Sequence, residues 1–188
     1  MIKLFHYDLE TTGTKFWKNG IHQISGLIEI DNEIKEEFNF SVCPNPDSEI
    51  SQEALDIGGV TLEQIKEYPS MKGVHIKLTE MLSKYVDKYD KTDKFHLIGY
   101  NISSFDNQFL RAFFTQNGDN YFGSFFWSDS IDVMSKASDK LKDVRAEMLN
   151  FKLKTVARQL RINVDEEKLH DAMYDIKLTK EVYETLNK

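Results

Sequence analysis

The order of secondary structure along this chain predicts an α/β domain with a layered arrangement of sheet and helices. Three apolar, β-branched segments separated by turns open the chain. Later segments alternate between apolar residues at helical spacing and short runs typical of buried strands. The chain has 188 residues, and 40 % of them are hydrophobic. That size and composition suit one domain over residues 1–188 with a substantial core.

The opening segments predict a three-stranded meander. We expect strands at Ile2–Leu9, Ile21–Ile30 and Glu33–Val42, with a tight turn at Asp31-Asn32 between the last two. A polar loop with two prolines follows at 44–51.

The rest of the chain predicts mainly helices, with two further strands. Apolar residues recur at helical spacing between Met71 and Tyr89, whereas Phe95–Asn101 is a short apolar run typical of a buried strand. The remaining elements are short helices in 51–68 broken by Gly58-Gly59, a helix at Ser104–Gln116, a strand at Phe125–Val133, and helices at 134–149, Leu153–Arg161 and after His170.

Composition limits the location and the partners of the protein. A single cysteine, Cys43, excludes a disulfide framework and a cysteine zinc site, and it suits a reducing, cytoplasmic compartment. No segment of the sequence has the apolar length that a signal peptide or a membrane span needs. The net charge of −7 argues against a protein whose binding depends on broad neutralisation of phosphates.

Two carboxylates lie at the end of the first strand, in the segment YDLETTG. Asp8 and Glu10 are two residues apart, and alternate residues of a strand point to the same side. Such a pair can share metal ions, while Gly13 lets the backbone approach a ligand closely. A polar turn at the end of a surface strand is the alternative interpretation of this segment alone.

Two later segments carry acids in distinct settings. Asp106, in NISSFDNQFL, follows a strand and opens a helix, where it can bind a metal or cap the helix. Asp175 lies on the last helix, five residues after His170 in HDAMYDIKLT. A histidine with a pKa of ~6.5 can take a proton from water, although a loop histidine beside an N-cap Asp171 is the plainer interpretation. Four converging carboxylates would suit two Mg²⁺ ions, because hard cations prefer oxygen ligands.

In this order, the three segments resemble the motifs of the DEDD superfamily of 3′–5′ exonucleases. DLETTG resembles the first motif, NISSFD followed by FL the second, and HDAMYD the third. His170 points to the DEDDh branch, which includes polymerase proofreading subunits, ribonuclease T and oligoribonuclease. IHQISGLIEI, SDSIDV and LKTVARQLRI resemble further family segments, so the likeness covers nearly the whole chain.

The resemblance implies a ribonuclease H-like exonuclease fold, in which helices cover both faces of a mixed five-stranded sheet. It implies that Asp8, Glu10, Asp106 and Asp175 hold two Mg²⁺ ions, for which Mn²⁺ can substitute. His170 would then deprotonate the attacking water.

Two features depart from the family pattern. One more residue than usual separates Asn101 from Phe105, a spacing typical of family B polymerase exonuclease domains. Those domains commonly have a tyrosine four residues before the last Asp, where this chain has Asp171, so the histidine assignment is retained and the subfamily stays open. His22 occupies a strand position that is apolar in the family, and a hydrogen-bonded core histidine is the simpler interpretation.

Substrate contacts are expected from residues beside the acids. Thr11 and Thr12 match positions near the 3′-terminal nucleotide in similar enzymes. Trp17, in the loop TKFWKNG, can stack on a base or pack against its own loop. Asn101 and Phe105 are further candidates, although Asn101 can instead hold the turn and Phe105 can belong to the core.

The sequence therefore predicts a two-metal 3′–5′ exonuclease that releases nucleoside 5′-monophosphates from single-stranded DNA or RNA. DNA is slightly favoured as the substrate. No residue in the sequence decides between DNA and RNA, because discrimination at a 2′-hydroxyl depends on pocket shape. The alternatives are a non-catalytic nucleic-acid- or partner-binding module on the same fold, and a proofreading subunit bound to a polymerase. The sequence also leaves open whether the protein forms a homodimer.

Overall fold

A five-stranded mixed sheet forms the centre of the molecule, in a computed structural model that describes residues 1–169 and 171–188. The strand order is β3-β2-β1-β4-β5. Antiparallel pairing joins β1 to β2 and β2 to β3, whereas β4 pairs in parallel with both β1 and β5. The strands are β1 Lys3–Thr11, β2 Ile21–Ile30, β3 Glu33–Ser41, β4 Phe95–Gly99 and β5 Phe126–Asp132. The predicted sheet is therefore confirmed.

Helices connect the strands and cover the sheet. In the described residues they are α1 Gln52–Gly58, α2 Leu62–Lys66, α3 Met71–Ser83, α4 Asp106–Gln116, α5 Phe122–Phe125, α6 Val133–Lys140, α7 Leu153–Gln159 and α8 Ala172–Leu186, with 3-10 helices at Lys142–Glu147 and Glu166–Lys168. None of the helices in this part of the chain has both the length and the apolar character to cross a bilayer.

Helix α3 ends at Ser83, six residues before the end that the periodicity predicts. Asp87 accepts a hydrogen bond from the Tyr89 amide at 3.0 Å, and Asp90 accepts one from the Thr92 amide at 2.8 Å. Side-chain bonds of this kind offer the backbone an alternative to helix, so the segment turns back toward β4.

Two hydrophobic layers lie on opposite faces of the sheet, as expected for helices on both sides. The first is rich in phenylalanine and packs α3 and α4 against the strands. The second packs α6, α7 and α8 against the other face. Because strand side chains alternate, Phe5, Tyr7 and Leu9 of β1 enter the first layer and Leu4 enters the second. The polar residues of β1 at positions 6, 8 and 10 therefore share the face of α8.

Phe5 is the central anchor of the first layer, and its removal should destabilise the whole fold. Its fully buried ring lies within 6.1 Å, centroid to centroid, of the rings of Tyr7, Phe38, Phe95 and Phe126. We expect Phe5→Ala to lower the free energy of unfolding by about 3–5 kcal/mol, because a cavity replaces the ring. Urea denaturation measures this. Tyr89→Ala is the control, since Tyr89 is 84 % exposed and should change the free energy by less than about 0.5 kcal/mol.

Candidate active site

The structure brings the four predicted acids together at one edge of the sheet. Asp8 and Glu10 lie at the end of β1, Asp106 is the first residue of α4, and Asp175 lies in the first turn of α8. Asp8 and Asp175 line one cavity of about 170 Å³ between the sheet and the second helical layer. Asp106 reaches β1 from the opposite layer, and its Oδ1 accepts a hydrogen bond from the Leu9 amide at 3.2 Å.

The electrostatics of these acids show that they share one site. Burial raises the pKa of Asp8 well above its usual range, and the charges of Asp106, Glu10 and Asp175 raise it further. Burial also raises the pKa of Asp106 to about 7, although hydrogen bonds from backbone amides oppose the shift. Like charges that are held together out of water favour protonation or a bound cation.

The donor set fits divalent cations of the magnesium type. All four side chains offer carboxylate oxygen, the ligand that Mg²⁺ and Mn²⁺ prefer. Burial is the main cause that raises the pKa values of Asp8 and Asp106, and the neighbouring carboxylates add to it. In the part of the chain that the structure describes, no group of three or more His, Cys, Asp or Glu side chains meets the geometry of a metal site.

The turn before α4 positions Asp106 by backbone geometry. Asn101 adopts a left-handed conformation with φ of 63° at the end of β4. Asp132, at the end of β5, accepts hydrogen bonds from the amides of Asn101 and Ser103 at 3.2 and 2.9 Å, and it also caps α6. The Asp132 carboxylate thus holds the turn, Asn101 shapes it through its left-handed backbone, and Asp132 is an organising residue that motif reasoning missed. The sequence did hold a signal for Asp132, because this residue lies near the end of the predicted strand Phe125–Val133.

Helix capping separates the roles of the acids beside the site. The alternative that Asp106 caps α4 is wrong, because Phe105 occupies the cap position without a side-chain hydrogen bond. Asp171 does cap α8, and its Oδ1 accepts a hydrogen bond from the Tyr174 amide at 2.8 Å. His170, the predicted general base, lies outside the described residues.

The two predicted threonines have internal roles. Thr12 is fully buried, and its hydroxyl bonds the Glu49 carbonyl at 3.0 Å and the Gly20 amide at 2.9 Å. Its own amide and carbonyl are also engaged. Thr11 donates its hydroxyl to the Gly13 carbonyl at 2.8 Å. Thr12 therefore ties the loop after β1 to the segment before α1.

The aromatic residues near the site divide between core and surface. Phe16 and Phe105 pack against the first hydrophobic layer. Trp17 is 65 % exposed and stands edge-on to Phe16, with ring centroids 5.1 Å apart. It lines a groove of about 480 Å³ whose other wall is α4, including Gln108 and Arg111. Trp17 is therefore free to stack on a base, as predicted. Phe105 packs against the core, which favours a structural role over a substrate contact.

A buried polar network next to the acids was not predicted. His6 Nε2 lies 2.9 Å from Glu29 Oε2, and Lys180 lies 3.0 Å from the same oxygen. The hydrogen bond with His6 is the largest cause that lowers the pKa of Glu29, to about 2. His6 also lines the cavity of Asp8 and Asp175. The signal was present in the sequence, because His6, Asp8 and Glu10 repeat with the period of a strand.

His22 departs from the expectation of a hydrogen-bonded core histidine. It is only 1 % exposed, yet neither ring nitrogen has a hydrogen-bond partner among the described residues. The residue is buried as expected, but the expected partner is missing. Strand position predicted burial, whereas the contacts of the ring depend on α1, which packs over it.

The pKa of Asp106 makes a testable prediction for the metal-free protein. A carboxyl with a raised native pKa binds more protons in the folded state, so stability falls as pH rises from about 4 to about 7. We expect Asp106→Asn to increase the free energy of unfolding, by on the order of 1–3 kcal/mol at pH 8. Its advantage should grow across that pH window and then level off.

Urea denaturation in EDTA from pH 4 to pH 8 measures this difference. Asp139→Asn is the matched control, because the Asp139 side chain is 83 % exposed. An advantage of Asp106→Asn that does not change with pH would contradict the assignment of a buried, crowded carboxyl.

Solved structures of exonuclease I have the same fold as this chain. The E. coli enzyme in complex with a dT13 oligonucleotide matches with a TM-score of 0.75 and 18 % identity, over 100 % of this chain and 41 % of that one. The zinc-bound complex of the E. coli enzyme with ssDNA gives 0.77 and 18 %, over 100 % and 40 %. An ExoI/SSB-Ct complex gives 0.77 and 17 %, over 100 % and 41 %. The chain therefore spans about two fifths of the length of these matches.

The likeness to exonuclease I confirms the ribonuclease H-like exonuclease fold that the motifs imply. Among curated proteins, none matches the sequence. A family model does match: that of the RNase_T exonucleases covers residues 5–183. This is nearly the whole chain, and the chain therefore belongs to this DEDD-type exonuclease family.

Proposed function

We propose that this chain is a metal-dependent 3′–5′ exonuclease domain, spanning residues 1–188, that hydrolyses single-stranded nucleic acid from the 3′ end. The products are nucleoside 5′-monophosphates, and DNA is favoured over RNA. The observation that carries the proposal is the convergence of Asp8, Glu10, Asp106 and Asp175 in a chain of the exonuclease family. The exonuclease I structures with dT13 and with ssDNA support DNA as the substrate.

The residues of the site have distinct roles in this proposal. Asp8, Glu10, Asp106 and Asp175 would hold two Mg²⁺ ions, which Mn²⁺ can replace. When bound, such ions activate water and stabilise charge on the leaving 3′-oxygen. His170 takes the proton from the attacking water. This assignment of His170 rests on the third sequence motif alone.

Substrate binding is assigned to residues around the edge of the acid cluster. Thr11 borders the site through the loop that follows Glu10, whereas the buried Thr12 contributes by holding that loop. Trp17 presents an exposed ring in a groove that runs along α4, the helix that begins with Asp106. A single-stranded nucleic acid with its 3′ end at the four acids would place one of its upstream bases against Trp17. Phe105 and Asn101 contribute to the substrate-binding surface indirectly. Phe105 packs against the core beneath α4, and Asn101 shapes the turn that precedes this helix.

Location and partners follow from the same proposal. A reducing cytoplasm suits the free thiol of Cys43. A second copy of the chain, or a polymerase, is required only if the isolated chain is inactive.

A paired digestion tests the activity. Single-stranded DNA and RNA of matched sequence, labelled at the 5′ end, are incubated with Mg²⁺, with Mn²⁺ or with EDTA. We expect a metal-dependent ladder that shortens from the 3′ end, and no ladder from Asp8→Ala, because one carboxylate of the shared site is gone. Asp139→Asn controls for the loss of a carboxylate elsewhere. If neither strand is cut with either metal, the chain is a binding module or an enzyme that needs a partner.

His170→Ala tests the general base. We expect kcat to fall by roughly 10²–10⁴-fold with little change in KM, since the histidine acts on the proton and not on binding. In the wild type, kcat should rise with pH as the general base loses its proton, and this rise should be absent in His170→Ala. An unchanged kcat and pH profile would remove His170 from the mechanism and leave the metal site intact.

Trp17 can report its own contact with substrate. The chain has two tryptophans, so Trp127→Phe leaves Trp17 as the only indole. We expect single-stranded DNA to quench this fluorescence with Mg²⁺ present, in the slow His170→Ala background. Trp17→Ala should weaken binding by about 1–3 kcal/mol, the value of one stacked base. Tyr89→Ala removes an exposed ring that does not line this groove and should leave affinity unchanged. Equal affinities of the two variants would contradict the groove assignment.

A further inference from the structure

His22 is a buried histidine with unmet hydrogen-bonding capacity beside the candidate metal site. Its ring lies on β2, next to the irregular pairing of β1 and β2 that follows Glu10. The ring is 1 % exposed, and both nitrogens lack partners among the described residues. A buried polar group without a partner costs free energy, so such a group in a native fold calls for an explanation.

Gly58 leaves open the space between His22 and Glu10. A Cβ atom placed on Gly58 would lie 3.2 Å from His22 Nε2 and 3.9 Å from Glu10 Oε2. The imidazole nitrogen and the carboxylate oxygen therefore border the same small volume, at the last residue of α1. Any other side chain at position 58 would enter that volume. Because the backbone of Gly58 is helical, conformation alone does not require glycine there.

The ring is neutral under ordinary conditions, because burial lowers the pKa of His22 to about 4. A neutral imidazole carries one N–H, which can donate to a carboxylate directly or through a single water. Carboxylates that bind metals are commonly oriented by hydrogen bonds of this kind from the surrounding protein.

We propose that His22 is a positioning residue for Glu10: across the space kept open by Gly58, its Nε2–H donates to the Glu10 carboxylate, directly or through one water, when that carboxylate binds metal. This inference rests on the proposed metal site, and it assigns a function to a strand residue outside the three motifs. Glu10 remains the ligand, and His22 acts only through it. Gly58 has the complementary role of admitting the contact.

Direct measurement of Mn²⁺ binding tests this role. Electron paramagnetic resonance of free Mn²⁺ gives the dissociation constant of each variant, and thermal unfolding in EDTA gives the metal-free stability. We expect His22→Leu to weaken Mn²⁺ binding by roughly 10–100-fold while the metal-free protein is as stable as wild type or more so. His22→Gln, which places an amide N–H near the Nε2 position, should restore most of the affinity.

Gly58→Ala tests the same contact without altering His22. Its methyl group would meet the His22 ring at 3.2–3.3 Å and fill the shared volume, so Mn²⁺ binding should weaken. Gly123→Ala is the matched control, because Gly123 is also helical and a Cβ there meets nothing within 4 Å. At saturating Mn²⁺ the nuclease rate of the His22 and Gly58 variants should recover toward the wild-type rate, as expected of a change in metal affinity.

The outcomes separate this inference from the proposed function. Unchanged Mn²⁺ affinity in His22→Leu and Gly58→Ala would overturn the role of His22 and leave the exonuclease proposal standing. If His22→Leu does not fold, the comparison of Gly58→Ala with Gly123→Ala decides. Affinity that depends on His22 in a chain that cuts no nucleic acid would support the positioning role and overturn the activity. Absence of Mn²⁺ binding by the wild type would overturn both.

Discussion

Repulsion between carboxylates at the end of β1 is the constraint on which the rest of the site depends. Asp8, Glu10, Asp106 and Asp175 come from three elements and lie close enough for their charges to act on one another. In water such charges would separate. Here the strand and the two helices that carry them are fixed by hydrophobic layers on both faces of the sheet, and burial of those layers offsets the repulsion.

The surrounding polar groups organise this cluster. Asp132 holds the turn that delivers Asp106, and Thr12 ties the loop after β1 to the segment before α1. Lys180, on the helix α8 that packs against β1 and β2, is paired with Glu29 and Glu184. Lys180 is therefore engaged with carboxylates outside the cluster of Asp8, Glu10, Asp106 and Asp175.

An acidic chain that acts on nucleic acid needs a compact way of binding it. With a net charge of −7, broad attraction to phosphates is absent, and long-range electrostatics would repel a polyanion. In the proposed function, metal ions at the acid cluster would reverse the local field, and an exposed aromatic ring such as that of Trp17 would add affinity independent of charge. Binding that combines a few metal-held phosphates with stacking would suit the small substrate site of the proposed exonuclease.

Local patterns in the sequence were enough to predict the sheet and to single out the four acids as candidates. Strand and helix periodicity are local properties, and spacing in DLETTG, NISSFD and HDAMYD is visible without coordinates. Contacts between distant segments could not be read in this way. Only the fold shows that Phe105 packs against the core, that Asp132 braces the second motif, and that His22 and Glu10 border the same space beside Gly58. Each of these depends on how α1, α4 and β5 pack against the sheet, and packing is set by the whole chain at once.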